Sequence, residues 1–86
     1  MTSQSDELDN LCKKILLVLP ENESLTLSQI QREGDMSYEA AKRHVNHLKE
    51  LGLVNIQKIR MGNREYYQIS LTEKGLVEKQ RLSHEK

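Results

Sequence analysis

Residues 37–53 place a helix start, a helical apolar stripe and a helix stop in one short stretch, which strongly limits the possible folds. Ser37 can cap a helix N-terminus, because its hydroxyl accepts a hydrogen bond from a backbone N–H of the first turn. Gly52 then stops the helix, since glycine takes the left-handed conformation at least cost. The sequence therefore predicts an amphipathic helix over 37–51. Its buried stripe is Ala41, Val45, Leu48 and Leu51, at helical spacing.

The opposite face of this helix, here called the polar face, is crowded with groups that can bind nucleic acid. Arginine can form paired hydrogen bonds with guanine and asparagine with adenine, glutamate can accept from cytosine, and lysine binds phosphate. A solvated helix can carry the same charges without any partner, so the polar face alone leaves both interpretations open. Its members are Tyr38, Glu39, Lys42, Arg43, Asn46, His47 and Lys49.

Two helices are predicted before this one. The first runs from about Asp6 to Leu19 and is apolar on nearly all sides over 15–19, which is typical of a helix buried against more than one neighbour. The second is short and begins at the capping-box spacing of Thr26 and Gln29. It is expected to end by residue 33, with Gly34 as the left-handed residue. Two helices joined by a short turn that contains glycine form a helix-turn-helix.

A β-hairpin is predicted after residue 53. Residues 54–58 alternate apolar and polar side chains, as in a strand with one buried face. Gly62 and Asn63 are a two-residue hairpin signal of the II′ type. The returning strand, 66–71, is expected to bury Tyr67, Ile69 and Leu71. This hairpin, here called the wing, spans about 54–71 and has Arg60 and Arg64 at its tip.

Positive charge is concentrated on the polar face and the wing, although the whole chain is neutral. Residues 1–36 hold seven acidic and three basic side chains, whereas residues 37–64 hold six basic and two acidic ones. The neutral total predicts weaker indiscriminate binding to DNA than a basic domain would show.

Several function classes find no support in the sequence. The single cysteine, Cys12, excludes an intrachain disulfide and a cysteine-cluster zinc site. It is expected to be a small buried hydrophobe, with a redox-sensor role or a disulfide across a dimer as the alternatives. His44 and His47 are spaced to share a metal, but lack a third obvious ligand. No catalytic motif, cofactor-binding loop, signal peptide or membrane-length apolar run is present. We expect a cytoplasmic protein that is not an enzyme and has no metal, cofactor or small-molecule ligand.

Three segments in this order resemble the winged helix-turn-helix family, of the MarR and ArsR type found among small regulators. They are Leu25–Ile30 as positioning helix, Ala41–Val54 as recognition helix with its Leu-Gly-Leu-Val exit, and Tyr66–Gly75 with its Leu-Thr-x-x-Gly exit. The resemblance implies an α+β, mostly α fold over residues 1–86. It would have a three-helix core, a two-stranded wing and a C-terminal helix, with residues 1–5 and 83–86 frayed.

The resemblance also implies a site on double-stranded DNA. The 37–51 helix would enter the major groove and the 58–64 tip would meet the backbone or the minor groove. The DNA-binding residues are then expected to be Ser37, Tyr38, Glu39, Lys42, Arg43, Asn46, His47, Lys49, Lys58, Arg60, Gly62, Asn63 and Arg64.

These features favour a homodimeric transcriptional regulator that binds DNA sequence-specifically. The alternative is a winged-helix module that binds another protein within a larger assembly, which the acidic first third of the chain favours. The dimer interface is expected to use apolar residues of the first and last helices: Leu8, Leu11, Cys12, Ile15, Leu76, Val77 and Leu82.

Overall fold

The computed structural model describes residues 10–84 and has the predicted α+β, mostly helical architecture. A small antiparallel sheet packs against one side of a helical core. In chain order, the elements are α1 (Asn10–Val18), β1 (Leu25–Thr26), α2 (Leu27–Gly34), α3 (Tyr38–Glu50), β2 (Val54–Met61), β3 (Arg64–Leu71) and α4 (Glu73–His84).

The predicted wing is formed by β2 and β3, which pair antiparallel from Val54 opposite Leu71 to Met61 opposite Arg64. The sheet has a third strand that the sequence analysis did not identify. Strand β1 pairs with β3, placing Leu25 opposite Ile69, so the strand order is β1-β3-β2. Thr26 thus serves both as the last residue of β1 and as the cap of α2. This ties the start of α2 to the wing.

Helix α2 begins as predicted but ends one residue later. Both bonds of the capping box are present, from the Gln29 N–H to Thr26 Oγ1 and from the Thr26 N–H to Gln29 Oε1. Gly34 is the last helical residue, and Asp35 takes the left-handed conformation with φ of 54°. The prediction of Gly34 as the left-handed residue was therefore wrong. Aspartate tolerates this conformation better than most residues, since its short polar side chain bonds locally.

The hydrophobic core lies where α1, α2, α3 and the inner face of the sheet meet. Helix α1 is surrounded, since it contacts α2, α3 and α4. The apolar stripe of α3 contributes Ala41, Val45 and Leu48, and the sheet contributes Val54 and Ile69. Tyr67 and Leu71 pack against this core, which confirms the predicted inner face of the wing.

Helix α4 extends to the C-terminal end of the described residues. It includes Ser83 and His84, the first two of the residues expected to fray. Residues 1–9 and 85–86 lie outside the described range. Two predictions fall there: the start of the first helix near Asp6, and Leu8 as a residue of the dimer interface. No helix within 10–84 is long and apolar enough to cross a bilayer.

Candidate nucleic-acid interface

The polar face is held outward by well-formed ends on α3. Ser37 has an extended backbone and its Oγ accepts a hydrogen bond from the Ala40 N–H at 3.1 Å, as the sequence predicted. At the other end, Gly52 has φ of +80°, and two backbone bonds close a Schellman motif. They run from the Gly52 N–H to Lys49 O at 2.9 Å and from the Leu53 N–H to Leu48 O at 3.0 Å.

The side chains of the polar face are exposed, and the described part of the chain supplies no ion-pair partner for its lysine and arginine groups. All seven members are exposed to solvent. Within residues 10–84, no carboxylate forms an ion pair with Lys42, Arg43 or Lys49. A helix face that carries three lysine and arginine groups without internal partners retains its full attraction for an anionic surface.

The wing tip is a two-residue loop of Gly62 and Asn63, between Met61 and Arg64. Gly62 has φ of +62° and Asn63 does not have a positive φ, which agrees with the predicted II′ turn. Met61 is 65% exposed at the tip. Arg64, on the same face as Met61, has no ion pair among the described residues.

The cations on the other face of the wing are not free. Glu65 stands directly opposite Arg60 and accepts a hydrogen bond from its Nη2 at 2.9 Å, and Lys58 Nζ lies 3.5 Å from the same carboxylate. The Arg60 guanidinium, followed by the charge of Lys58, holds the pKa of Glu65 below its ordinary value. Glu65 was not among the predicted site residues. A two-residue loop at 62–63 fixes the register of the hairpin, so this pair could have been read from the sequence.

A cavity of about 160 Å³ lies between α3 and the sheet. It is mostly apolar, and Lys42 and Asn46 of the polar face are its polar members. The cavity therefore separates part of α3 from the wing, and it lies next to both the hydrophobic core and the polar face. Its lining residues are Leu27, Lys42, Val45, Asn46, Ile56, Tyr67 and Ile69.

The apolar residues proposed for a dimer interface occupy different environments in the structure. Cys12 and Ile15 are fully buried in the core of the chain, because α1 is enclosed by the other helices, so they have no surface to offer a second copy. Val77 of α4 is 63% exposed. Leu17 of α1, which the sequence analysis did not single out, is 44% exposed. The remaining described members, which are partly buried, are Leu11, Leu76 and Leu82.

His44 and His47 of α3 gain no third metal ligand from residues 10–84. Nδ1 of His44 lies 2.7 Å from Ala40 O on its own helix, while His47 is exposed on the polar face. Among residues 10–84, no group of three histidine, cysteine or carboxylate side chains could hold a metal ion.

No protein-family model and no curated protein matches this sequence. Solved structures do match. A transcriptional regulator homologue from Pyrococcus horikoshii OT3 superposes with a TM-score of 0.77 at 26% identity, over 93% of this chain and 80% of that chain. A MarR family transcriptional regulator from Silicibacter pomeroyi superposes with a TM-score of 0.76 at 25% identity, over 94% of this chain and 54% of that chain. The chain is a MarR-like winged helix-turn-helix domain. The family resemblance seen in the sequence is thereby confirmed.

A third match was solved with nucleic acid bound. FabT from Streptococcus pneumoniae, in complex with DNA, superposes on the MarR-like domain with a TM-score of 0.73 at 17% identity. The superposition includes 94% of this chain and 56% of the FabT chain. It thus spans about half the length of these two bacterial regulators and most of the Pyrococcus chain.

Proposed function

We propose that this MarR-like domain binds double-stranded DNA sequence-specifically, as a homodimeric transcriptional regulator in the cytoplasm that has no enzymatic activity. Helix α3 enters the major groove, and the tip of the wing contacts the backbone or the minor groove. The observation that carries the proposal is the polar face itself. It presents uncommitted lysine and arginine side chains on a helix placed by the same fold as regulators such as FabT, whose structure was solved with DNA.

The N-terminal half of α3 supplies the base contacts in this proposal, as in other helix-turn-helix proteins. Arg43 forms paired hydrogen bonds with guanine, and Asn46 does so with adenine. Glu39 accepts a hydrogen bond from the cytosine amino group. Glu39 weakens binding wherever no base donor meets it, so it rejects unsuitable sequences. Ser37, Tyr38 and His47 lie beside these groups on the exposed side of the helix.

The remaining cations are assigned to phosphates, with Gly62 and Asn63 bringing the wing backbone close to the DNA. Each phosphate neutralised adds about 0.9 to the slope of log K against log salt. The five cations set an upper limit of about −4.5 on this slope for each protomer bound, because two of them, Lys58 and Arg60, are also paired with Glu65. The five cations are Lys42, Lys49, Lys58, Arg60 and Arg64.

Dimerisation is proposed on the side of the chain formed by α1 and α4. Leu17 and Val77 are the large exposed apolar residues there. A pair of recognition helices would then read half-sites about 34–36 Å apart, one turn of the DNA helix.

Selection from a random DNA library, followed by binding measurements, tests the proposal. We expect a palindromic sequence to be enriched at moderate salt. The double charge reversal Arg43→Glu with Arg64→Glu should abolish binding, since it places repulsive carboxylates against DNA on both the helix and the wing. A matched control reverses two exposed cations elsewhere, Lys14→Glu with Arg32→Glu. It changes the net charge equally, so it should retain most of the specific binding.

Two results would contradict the DNA-binding proposal. One is the enrichment of no sequence by the wild-type chain. The other is an equal loss of binding in both double variants, which would mean that net charge rather than the polar face governs binding. A chain that selects no DNA but captures a protein partner through the Leu17 and Val77 side would favour the protein-interaction alternative.

A further inference from the structure

Three consecutive backbone carbonyls directly after α3 each accept a hydrogen bond from Thr72 or Lys74, at the start of α4. Leu51 O accepts from Lys74 Nζ at 3.1 Å, and Gly52 O accepts from Thr72 Oγ1 at 2.7 Å. Leu53 O accepts from the Thr72 backbone N–H at 3.1 Å. Leu51 is the C-cap of α3 and its carbonyl has no partner within the helix, so the bond from Lys74 satisfies a group that would otherwise need water. We call this set of contacts the α3–α4 junction.

The same residues also begin α4. Thr72 Oγ1 accepts a hydrogen bond from the Gly75 N–H at 2.9 Å and so caps α4 while it donates to Gly52 O. Gly75 approaches the chain after α3 so closely that a Cβ there would lie 1.8 Å from Leu53 O. The positive end of α4 thus meets the negative end of α3, which is the favourable arrangement of the two helix dipoles. The end of one helix and the start of the other form one continuous unit.

Helix α4 is anchored to a second helix farther along. Lys79 Nζ donates to Leu17 O at 2.7 Å and to Leu16 O at 3.5 Å, at the C-terminal end of α1. Two lysines of α4 therefore make the same kind of hydrogen bond, from Nζ to a backbone carbonyl, at the ends of two different helices. Lys74 holds the recognition helix, and Lys79 holds a helix that does not belong to the polar face.

We propose that Thr72 and Lys74 are positioning residues for DNA reading, which fix the angle of α3 relative to α4. This inference rests on the proposed function. The base-reading residue Arg43 lies eight residues before Leu51, about 12 Å along the helix axis. A rotation of α3 by about 5° at the junction would move Arg43 by about 1 Å, twice the 0.5 Å range of a good N–H···O distance. Small errors at the junction therefore become misplaced base contacts.

The test compares Lys74→Met with Lys79→Met, because each variant removes the hydrogen bonding of one lysine to helix-end carbonyls and keeps most of the aliphatic stem. Residual dipolar couplings on the free domain report the angle between α3 and α4. Lys74→Met should change it, and Lys79→Met should not. In DNA-binding measurements, the specificity ratio is the affinity for the selected sequence divided by the affinity for random sequence. Lys74→Met should lower this ratio at least about fivefold, which is the effect of weakening one bidentate base contact. Lys79→Met should leave that ratio unchanged, whatever it does to thermal stability.

A second pair of variants separates the hydroxyl from the size of the side chain. Thr72→Ser keeps both bonds of Oγ1 and should retain the helix angle and the specificity ratio, whereas Thr72→Val removes them and should change both. An unchanged angle in Lys74→Met and Thr72→Val would overturn the proposal, even if DNA binding were weaker. An equal fall in the specificity ratio for Lys74→Met and Lys79→Met would also overturn it. If the wild type selects no DNA, the proposed function fails, while the couplings still decide whether the junction sets the angle.

Discussion

Replacing Gly75 by alanine should destabilise this protein, although alanine is the better helix former. The added Cβ would lie 1.8 Å from Leu53 O and 2.8 Å from Leu53 C. Both atoms belong to the backbone, so no side-chain rotation can relieve the clash. The closest ordinary approach of a carbon to a carbonyl oxygen is about 3.3 Å, so α4 must move by about 1.5 Å.

The cost follows from what that movement breaks. Three hydrogen bonds cross the α3–α4 junction, at 2.7, 3.1 and 3.1 Å, and a shift of this size removes them. At about 1 kcal/mol each, their loss is about 3 kcal/mol. The gain in helix propensity from glycine to alanine is at most about 1 kcal/mol. The net loss is therefore about 2 kcal/mol, which lowers the melting temperature of a domain of this size by about 8–16 °C.

Denaturant unfolding followed by circular dichroism measures the change, with Gly34→Ala as the matched control. Gly34 is also buried and helical, but a Cβ there meets the Cε of Met36 at 2.5 Å, the flexible end of a side chain that can turn away. We expect this control to lose little or no stability, because the gain in helix propensity of at most about 1 kcal/mol offsets the cost of turning Met36 away. Two results would contradict this reasoning. In one, Gly75→Ala has the same free energy of unfolding as the wild type. In the other, Gly34→Ala loses as much stability as Gly75→Ala, so the clash with the backbone does not explain the loss.

Three further predictions concern the wing and the end of α3. Glu65→Gln should tighten DNA binding severalfold in fluorescence anisotropy, because Lys58 and Arg60 no longer divide their charge between the carboxylate and phosphate; weaker binding would contradict this. Because the folded pKa of Glu65 is lowered, its ion pairs stabilise the wing above the unfolded pKa, and this contribution is lost as pH falls through the folded value. An NMR titration of the wing amides should show that transition in the wild type and not in Glu65→Gln. Gly52→Ala should cost about 1–2 kcal/mol in denaturant unfolding, because alanine is strained at φ of +80°, and a neutral result would mean that the Schellman turn rearranges.

Much of the site was accessible from the sequence because its signals are local. The cap at Ser37, the helical stripe and the stop at Gly52 all act within a few residues, and the structure confirms them. The hairpin loop at Gly62 is equally local, and it sets the pairing of every residue in the wing. The left-handed residue after α2 was misplaced by one position, since glycine is the usual choice there but Asp35 can adopt the same conformation.

What required the tertiary structure were features that depend on segments distant in the chain. The pairing of Leu25 with Ile69 joins the start of α2 to the returning strand of the wing across more than forty residues. The full burial of Cys12 and Ile15 follows from helices that enclose α1 on several sides, whereas their own periodicity was equally compatible with an interface.

The polar face of α3 illustrates the same division. Its composition, cap and stop were determined by the sequence of residues 37–53, because helix formation and amphipathicity are set by near neighbours. The sequence also carried the Leu-Thr-x-x-Gly segment, where the family resemblance placed the exit from the wing. Only the folded chain shows what this segment contacts: Thr72 and Gly75 lie against the carbonyls of Gly52 and Leu53. Hydrogen bonds and close contacts between segments about twenty residues apart depend on the path of the backbone, and no local pattern encodes that path.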